Sequence, residues 1–294
     1  MPLDNYFTDR VAAGDQAPPP VSPPAPADVT VRDTAVPGPH GDVPLRTYRP
    51  DGPVATALLW VHGGGFWHGD LDMPEADWVS AELARRARAY VVSVGYRLAN
   101  GEVRHPVPID DVYAAWSWLA ADEALPERRA LGGASAGAAL ALATALRARD
   151  TGLRPPDALL LAYPFAHFPN PQPDLALATE LAEVLPPELR FPPSGIEDMV
   201  RNYVGRISDL PPDALPGAAR LDGLPPSFLV LSEYDDLRSS GELLARQLDE
   251  AGVKATTYLA LQVPHGHLNH PVDVPGITGS LEFFVDALDA LDGR

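Results

Sequence analysis

The chain has 294 residues, 46% of them apolar, and a formal net charge of −18. That length supports one large core or two ordinary domains, and the negative charge excludes the electrostatic attraction that nucleic acid and anionic membranes demand. The absence of cysteine removes any disulfide framework, thiol nucleophile or thiolate metal site, and no apolar run reaches the roughly 18 residues of a membrane span.

In chain order, residues 1–13 have the composition of a short helix with Tyr6, Phe7 and Val11 on its apolar side. Residues 16–27 hold six prolines, which imposes an extended or irregular course. A floppy tail and a segment packed back over a pocket both fit this leader. Residues 29–36 and 43–48, with a turn between, read as an antiparallel strand pair at a sheet edge. Residues 55–61 are apolar apart from Thr56, as a central strand should be. A helix follows at 73–86, a buried strand at 89–94, and a helix at 108–121 with proline near its start. A short strand at 129–131 leads to an Ala/Leu-rich helix at 136–149. Strands at 158–163, 227–232 and 254–261 and helices at 239–250 and 278–291 complete the pattern. Strands alternating with helices predict an α/β fold with a mostly parallel central sheet covered on both faces.

Residues 166–223 break the rhythm. They are rich in proline, with helical pieces at 175–185 and 194–203. A structureless loop of that length is unusual in a compact domain. The stretch therefore reads as a helical cap over the carboxyl edge of the sheet, where ligands of open α/β sheets bind. The expected division is a leader at 1–27, core at 28–165, cap at 166–223 and core again at 224–294.

Ser135 lies in Gly133-Ala134-Ser135-Ala136-Gly137, a G-x-S-x-G pattern between a strand and a helix. A serine wedged there has strained backbone angles, and glycines beside it let the chains pass closely. Attack by its hydroxyl needs a base, a group that orients the base, and donors for the developing oxyanion. His265, just past a strand, is the candidate base. Asp235, also just past a strand, is the candidate orienter, with Asp236 the weaker claimant. His62-Gly63-Gly64-Gly65 follows the strand at 55–61, and its glycines leave backbone N–H groups free to point inward. The N–H groups of Gly64, Gly65 and Ala136 are the candidate oxyanion hole. Phe66, Trp67, Phe165, Phe168, Phe191 and His267 are candidate pocket residues.

From about residue 55 onward the chain resembles the hormone-sensitive-lipase-like branch of the α/β-hydrolase superfamily, the bacterial family IV esterases. The resemblance rests on His62–Gly65, on Tyr96-Arg97-Leu98-Ala99, on His105-Pro106 with Asp110-Asp111, on Gly133–Gly137, on Asp235-Asp236-Leu237-Arg238 and on His265-Gly266-His267. It implies an α/β-hydrolase fold with a two-part cap, hydrolysis of carboxylic esters, no cofactor, and Asp235 rather than Asp236 as the acid. Four positions depart from the family pattern. Ala134 replaces an aspartate beside the nucleophile, Asn100 a proline, Asp236 a proline and His267 a phenylalanine.

The expected activity is therefore serine-dependent cleavage of short- to medium-chain or compact aromatic carboxylic esters. Two rivals remain at this point: a catalytically silent small-molecule receptor on the same fold, and a metal-dependent hydrolase. The second arises because His265, His267 and His270 have H-x-H-x-x-H spacing, compatible with zinc. The expected partner is a small-molecule ester, with a homodimer as an open alternative and no nucleic acid or membrane. The N-terminus lacks a basic region followed by an apolar one, so the cytoplasm is the expected compartment.

Overall fold

The computed structural model describes residues 1–293, apart from the side chains of Asp15 and Asp292. Eight strands form one sheet: β1 (Val29–Val36), β2 (Val43–Pro50), β3 (Thr56–Val61), β4 (Ala89–Val94), β5 (Arg128–Ala134), β6 (Ala158–Ala162), β7 (Ser227–Tyr234) and β8 (Ala255–Pro264). Their order is β1-β2-β4-β3-β5-β6-β7-β8. β1 and β2 pair antiparallel at one edge, as their alternation predicts, and β2 joins β4 antiparallel. All remaining pairs are parallel.

The helices are α1 (Asn5–Ala13), α2 (Asp77–Ala87), α3 (Val107–Ala121), α4 (Ala136–Thr151), α5 (Leu175–Val184), α6 (Pro193–Val204), α7 (Arg238–Glu250) and α8 (Pro275–Asp292). Every residue of β3 is buried, so its period of two divides its side chains between two cores. Ala57, Leu59 and Val61 pack with Val112 of α3, Leu140 of α4 and Leu244 of α7. Leu58 and Trp60 pack with Val79 of α2, Phe284 of α8 and Phe7 of α1. This is the α/β-hydrolase fold with a helical cap. Among the described residues no helix is long and apolar enough to cross a membrane.

The start of α2 differs from the sequence expectation, and one of the two courses open to the leader is the one observed. The helix expected from residue 73 begins at Asp77, because the Glu75 carbonyl is taken by Trp60 Nε1 at 2.8 Å instead of a helical partner. The leader is packed rather than loose. Leu3 and Phe7 are buried, and Asp4 caps α1 by accepting from the Tyr6 N–H at 2.9 Å.

The cap helices α5 and α6 lie between β6 and β7. Tyr203 of α6 stacks on Phe66 at 3.9 Å between ring centroids. That contact sets α6 over the turn after β3, at the carboxyl end of the sheet.

Candidate active site

Ser135 stands between β5 and α4 with φ 52° and ψ −118°, a conformation that L residues rarely adopt. The surrounding glycines are required by space. A Cβ on Gly137 would come within 2.2 Å of Val61 O, and one on Gly133 within 2.6 Å of both Val61 O and Gly137 O. Close approach of β3, β5 and α4 therefore aims the Ser135 side chain out of the turn, at the positive end of the α4 dipole.

His265 lies just past β8 and Asp235 just past β7. His265 Nε2 is 2.8 Å from Ser135 Oγ, and His265 Nδ1 is 2.6 Å from Asp235 Oδ2. A carboxylate can only accept, so Nδ1 carries the proton and Nε2 accepts from the serine hydroxyl. Asp235 is held in turn by the Leu237 N–H, 2.7 Å from Oδ1. The side chains of His265 and Asp235 are 7% and 1% exposed, so water screens their interaction little. Burial disfavours the charged imidazole, but the Asp235 carboxylate, with Glu75 and Asp236 beyond it, outweighs burial and raises the His265 pKa above its ordinary value.

The His62–Gly65 turn follows β3. Gly64 and Gly65 have φ of 94° and 60°, and a Cβ on Gly64 would fall 2.1 Å from His68 O. At Gly64 this backbone is open to glycine alone. Among the described residues the N–H groups of Gly64 and Gly65 meet no acceptor, and Ala136 opens α4, where the first N–H groups have no intrahelical partner. The turn is braced from behind. His62 Nδ1 donates to Gly63 O at 2.9 Å, its ring stacks on Tyr96 at 4.4 Å, and the Tyr96 hydroxyl donates to Gly63 O at 3.0 Å.

The pocket candidates separate. Phe168 and Phe191 line a cavity of about 870 Å³ with Leu181, Leu185 and Ile196 of the cap. Phe191 also meets the His265 ring edge to face at 4.8 Å. Trp67 is exposed beside Gly65, near Met199. Phe66 and Phe165 are fully buried core residues rather than open pocket walls. His267 also turns away from the pocket. Its Nε2 lies 2.9 Å from Ser280 Oγ, and its Nδ1 lies 3.1 Å from Ser232 Oγ and 3.3 Å from the Pro264 carbonyl. With both nitrogens engaged and no exposed surface, His267 has nothing to offer a substrate.

The same geometry overturns the metal alternative. His265 faces Ser135 and Asp235, His267 faces two serines and the Pro264 carbonyl, and His270 Nδ1 lies 3.1 Å from the Tyr6 hydroxyl. The three imidazoles point to three different places, and no group of three or more His, Cys, Asp or Glu among the described residues could hold a metal ion.

Sequence reasoning missed Glu75, Tyr163 and Asn269, which form a hydrogen-bonded network behind the His62–Gly65 turn. The single local signal was an acidic residue flanked by Pro74 and Ala76 just ahead of an apolar helix face.

A family profile for the alpha/beta hydrolase fold matches residues 58–269. Esterase LipI of Mycobacterium tuberculosis is 36% identical over 262 residues, covering 85% of this chain and 79% of the relative. Carboxylesterase NlhH of the same organism is 36% identical over 247 residues, covering 80% and 74%. Among solved structures, an esterase of Pyrobaculum calidifontis superposes with a TM-score of 0.80 at 31% identity, over 91% of this chain and 87% of that one. Together with the serine at its strained turn, these likenesses place the chain in the α/β-hydrolase family and, within it, in the hormone-sensitive-lipase-like branch of carboxylic ester hydrolases.

Proposed function

We propose that the protein cleaves short- to medium-chain or compact aromatic carboxylic esters through an acyl-enzyme on Ser135. The observation that carries this reading is the unbroken line Ser135 Oγ, His265 Nε2, His265 Nδ1, Asp235 Oδ2, at 2.8 and 2.6 Å. His265 takes the serine proton as Oγ attacks the ester carbonyl, and Asp235 stabilises the imidazolium. The Gly64, Gly65 and Ala136 N–H groups receive the oxyanion. His265 then protonates the leaving alcohol, and a water activated by the same imidazole releases the acid.

The cap governs acyl size. Phe191 links the two regions: one side of its ring packs on His265, and it also lines the cap cavity. Each methylene buried in it contributes roughly 0.8 kcal/mol, and a chain too long for it costs more through displacement of the cap. Residues 166–223, with the leader 1–27, act as that cap over a core formed by 28–165 and 224–294. The leader belongs to it because Phe7 shares one apolar cluster with Leu181 and Leu185.

The experiment is labelling and turnover. A serine-directed phosphonate should modify Ser135, and Ser135→Ala should abolish hydrolysis of p-nitrophenyl butyrate while leaving the melting temperature intact. Unchanged turnover in that variant would end the serine reading.

A further inference from the structure

Glu75 lies between the glycine turn and α2, with 1% of its surface exposed. Three donors from three segments meet its carboxylate. The Gly63 N–H reaches Oε1 at 2.6 Å, from the turn that continues into Gly64 and Gly65. The Tyr163 hydroxyl donates to Oε2 from the end of β6. Asn269 Nδ2 lies 3.2 Å from Oε2 and 3.3 Å from Gly266 O, within the turn that follows His265. Glu75 is itself fixed, since its carbonyl accepts from Trp60 Nε1.

Gly63 separates this carboxylate from the serine by the thickness of one backbone. A Cβ on Gly63 would fall 2.6 Å from Glu75 Oε1 and 3.1 Å from Ser135 Cβ. The Tyr163 ring, bonded to Glu75 through its hydroxyl, meets His265 edge to face at 4.9 Å.

The donor set favours the anion. A peptide N–H and an amide NH₂ cannot accept, so a protonated carboxyl would find only the Tyr163 oxygen for its hydrogen. A carboxylate satisfies all three neighbours. Burial pushes the Glu75 carboxyl above its ordinary value, against Tyr163, Gly63, His265 and Asn269, which all favour the charged form.

Resting on the serine-hydrolase reading above, we propose that Glu75 is the positioning residue of this centre. Its carboxylate staples the oxyanion turn to the His265 turn and supplies a second negative charge for the imidazolium. Holding the Gly63 N–H orients the peptides that follow, so the Gly64 and Gly65 N–H groups stand ready before the reaction begins. Holding Asn269 fixes the turn from which His265 projects.

The charges around His265 come from several elements. Asp235 and Asp236 face it from the turn after β7, Glu75 from the segment before α2, Tyr163 from β6, and His267 from its own turn. Tyr163 stays neutral, its phenol raised well above the ordinary value by burial and by Glu75. His267 stays neutral because burial pushes it down to about 3. Asp236 is paired with Arg190 at 2.9 Å. Glu75 is faced in turn by Tyr163, His265 and Tyr96, the last held protonated by burial and by Glu75 itself.

The test uses two variants of the full chain. Glu75→Gln keeps the shape and removes the charge and one acceptor; Glu75→Asp keeps the charge and shortens the reach. For each, kcat, KM and the pH dependence of kcat/KM are measured on p-nitrophenyl butyrate, with phosphonate labelling of Ser135 as a separate assay of the underlying reading. Glu75→Gln should lower kcat by ~10- to 100-fold with KM within about threefold, and should move the acid limb to lower pH. Glu75→Asp should return the limb to its wild-type position while kcat stays depressed. Should Glu75→Gln fail to fold, Tyr163→Phe and Asn269→Ala each remove one donor and should each lower kcat by ~3- to 10-fold. A limb that does not move in Glu75→Gln, or a wild-type kcat in it or in both donor variants, overturns the proposal while the Ser135 label persists. Loss of the label in the wild-type protein overturns the serine reading instead.

Discussion

Asp236 and Arg190 meet as a two-pronged pair. Arg190 Nε lies 2.9 Å from Oδ2 and its terminal nitrogen 2.9 Å from Oδ1 of Asp236, and the Phe191 N–H adds a third bond to Oδ2 at 2.7 Å. Asp236 directly follows the residue that meets His265, and Phe191, directly after Arg190, packs on His265. One side chain thus ties the cap segment between α5 and α6 to the turn that carries Asp235. The aspartate that stands at 236 in place of the family's proline therefore acts as a latch that sets the ring of Phe191.

Cutting this latch should loosen substrate fit more than chemistry. The pair is partly exposed, at 32% and 13%, so its loss is worth about 1 kcal/mol. In Asp236→Asn and Arg190→Ala, KM for p-nitrophenyl butyrate should rise by ~3- to 10-fold, with a smaller change in kcat. In the wild-type protein, butyrate should exceed palmitate by at least ~10-fold in kcat/KM, or roughly 1.4 kcal/mol, and both variants should narrow that ratio. Equal cleavage of the two esters by the wild type would show that the cap does not limit acyl length.

The pH dependence of activity follows from His265. The base must be neutral to accept the Ser135 proton, and its pKa is raised by Asp235, Glu75 and Asp236 against the effect of burial. Activity should therefore be lost as pH falls, with the acid limb of kcat/KM above the ordinary imidazole value of about 6.5. A limb centred below that value would show that burial, not the carboxylates, dominates.

Stability should fall on the acid side for a different reason. His62, His267 and His270 are buried in their neutral forms, with burial holding them down to about 4, 3 and 4. Their folded pKa values lie below the unfolded one, so the unfolded chain binds more protons between those values. The stability they contribute is complete above about pH 6.5 and is lost as pH falls toward 4, by roughly 3 kcal/mol for His62 alone. Thermal melts between pH 7 and pH 4 measure this. A melting temperature flat across that window would mean these rings are charged in the fold.

The leader is tied to the back of the His265 turn. Phe7 meets the His270 ring edge to face at 5.2 Å, Tyr6 bonds its Nδ1, and the Asp4 N–H donates to Gln262 O at 2.9 Å. Phe7→Ala should cost about 3 kcal/mol. Deleting residues 1–27 should lower the melting temperature and raise KM for p-nitrophenyl butyrate. A truncated enzyme with wild-type kinetics and melting temperature would reduce the leader to a tail.

Most of the strands and helices were legible in the sequence because the forces that shape them act locally. β6 is an unbroken apolar run and β3 is one after Thr56, a pattern that suits a doubly covered strand, and the Gly133–Gly137 and His62–Gly65 turns announce themselves through glycines that steric contact demands. The residue types at 135, 235 and 265, each just past a strand, were readable for the same reason: a parallel sheet brings those strand ends to one edge. Which side chains meet there was decided by tertiary contact. His265, His267 and His270 are alike in sequence, yet one faces a serine and an aspartate, one two serines and one a tyrosine of the leader. Asp236 finds Arg190 46 positions away, and Glu75 finds Tyr163 88 positions away. The local setting of Glu75 between Pro74 and Ala76 is only a hint of burial, because a buried glutamate is tolerated only when distant segments supply donors for its carboxylate.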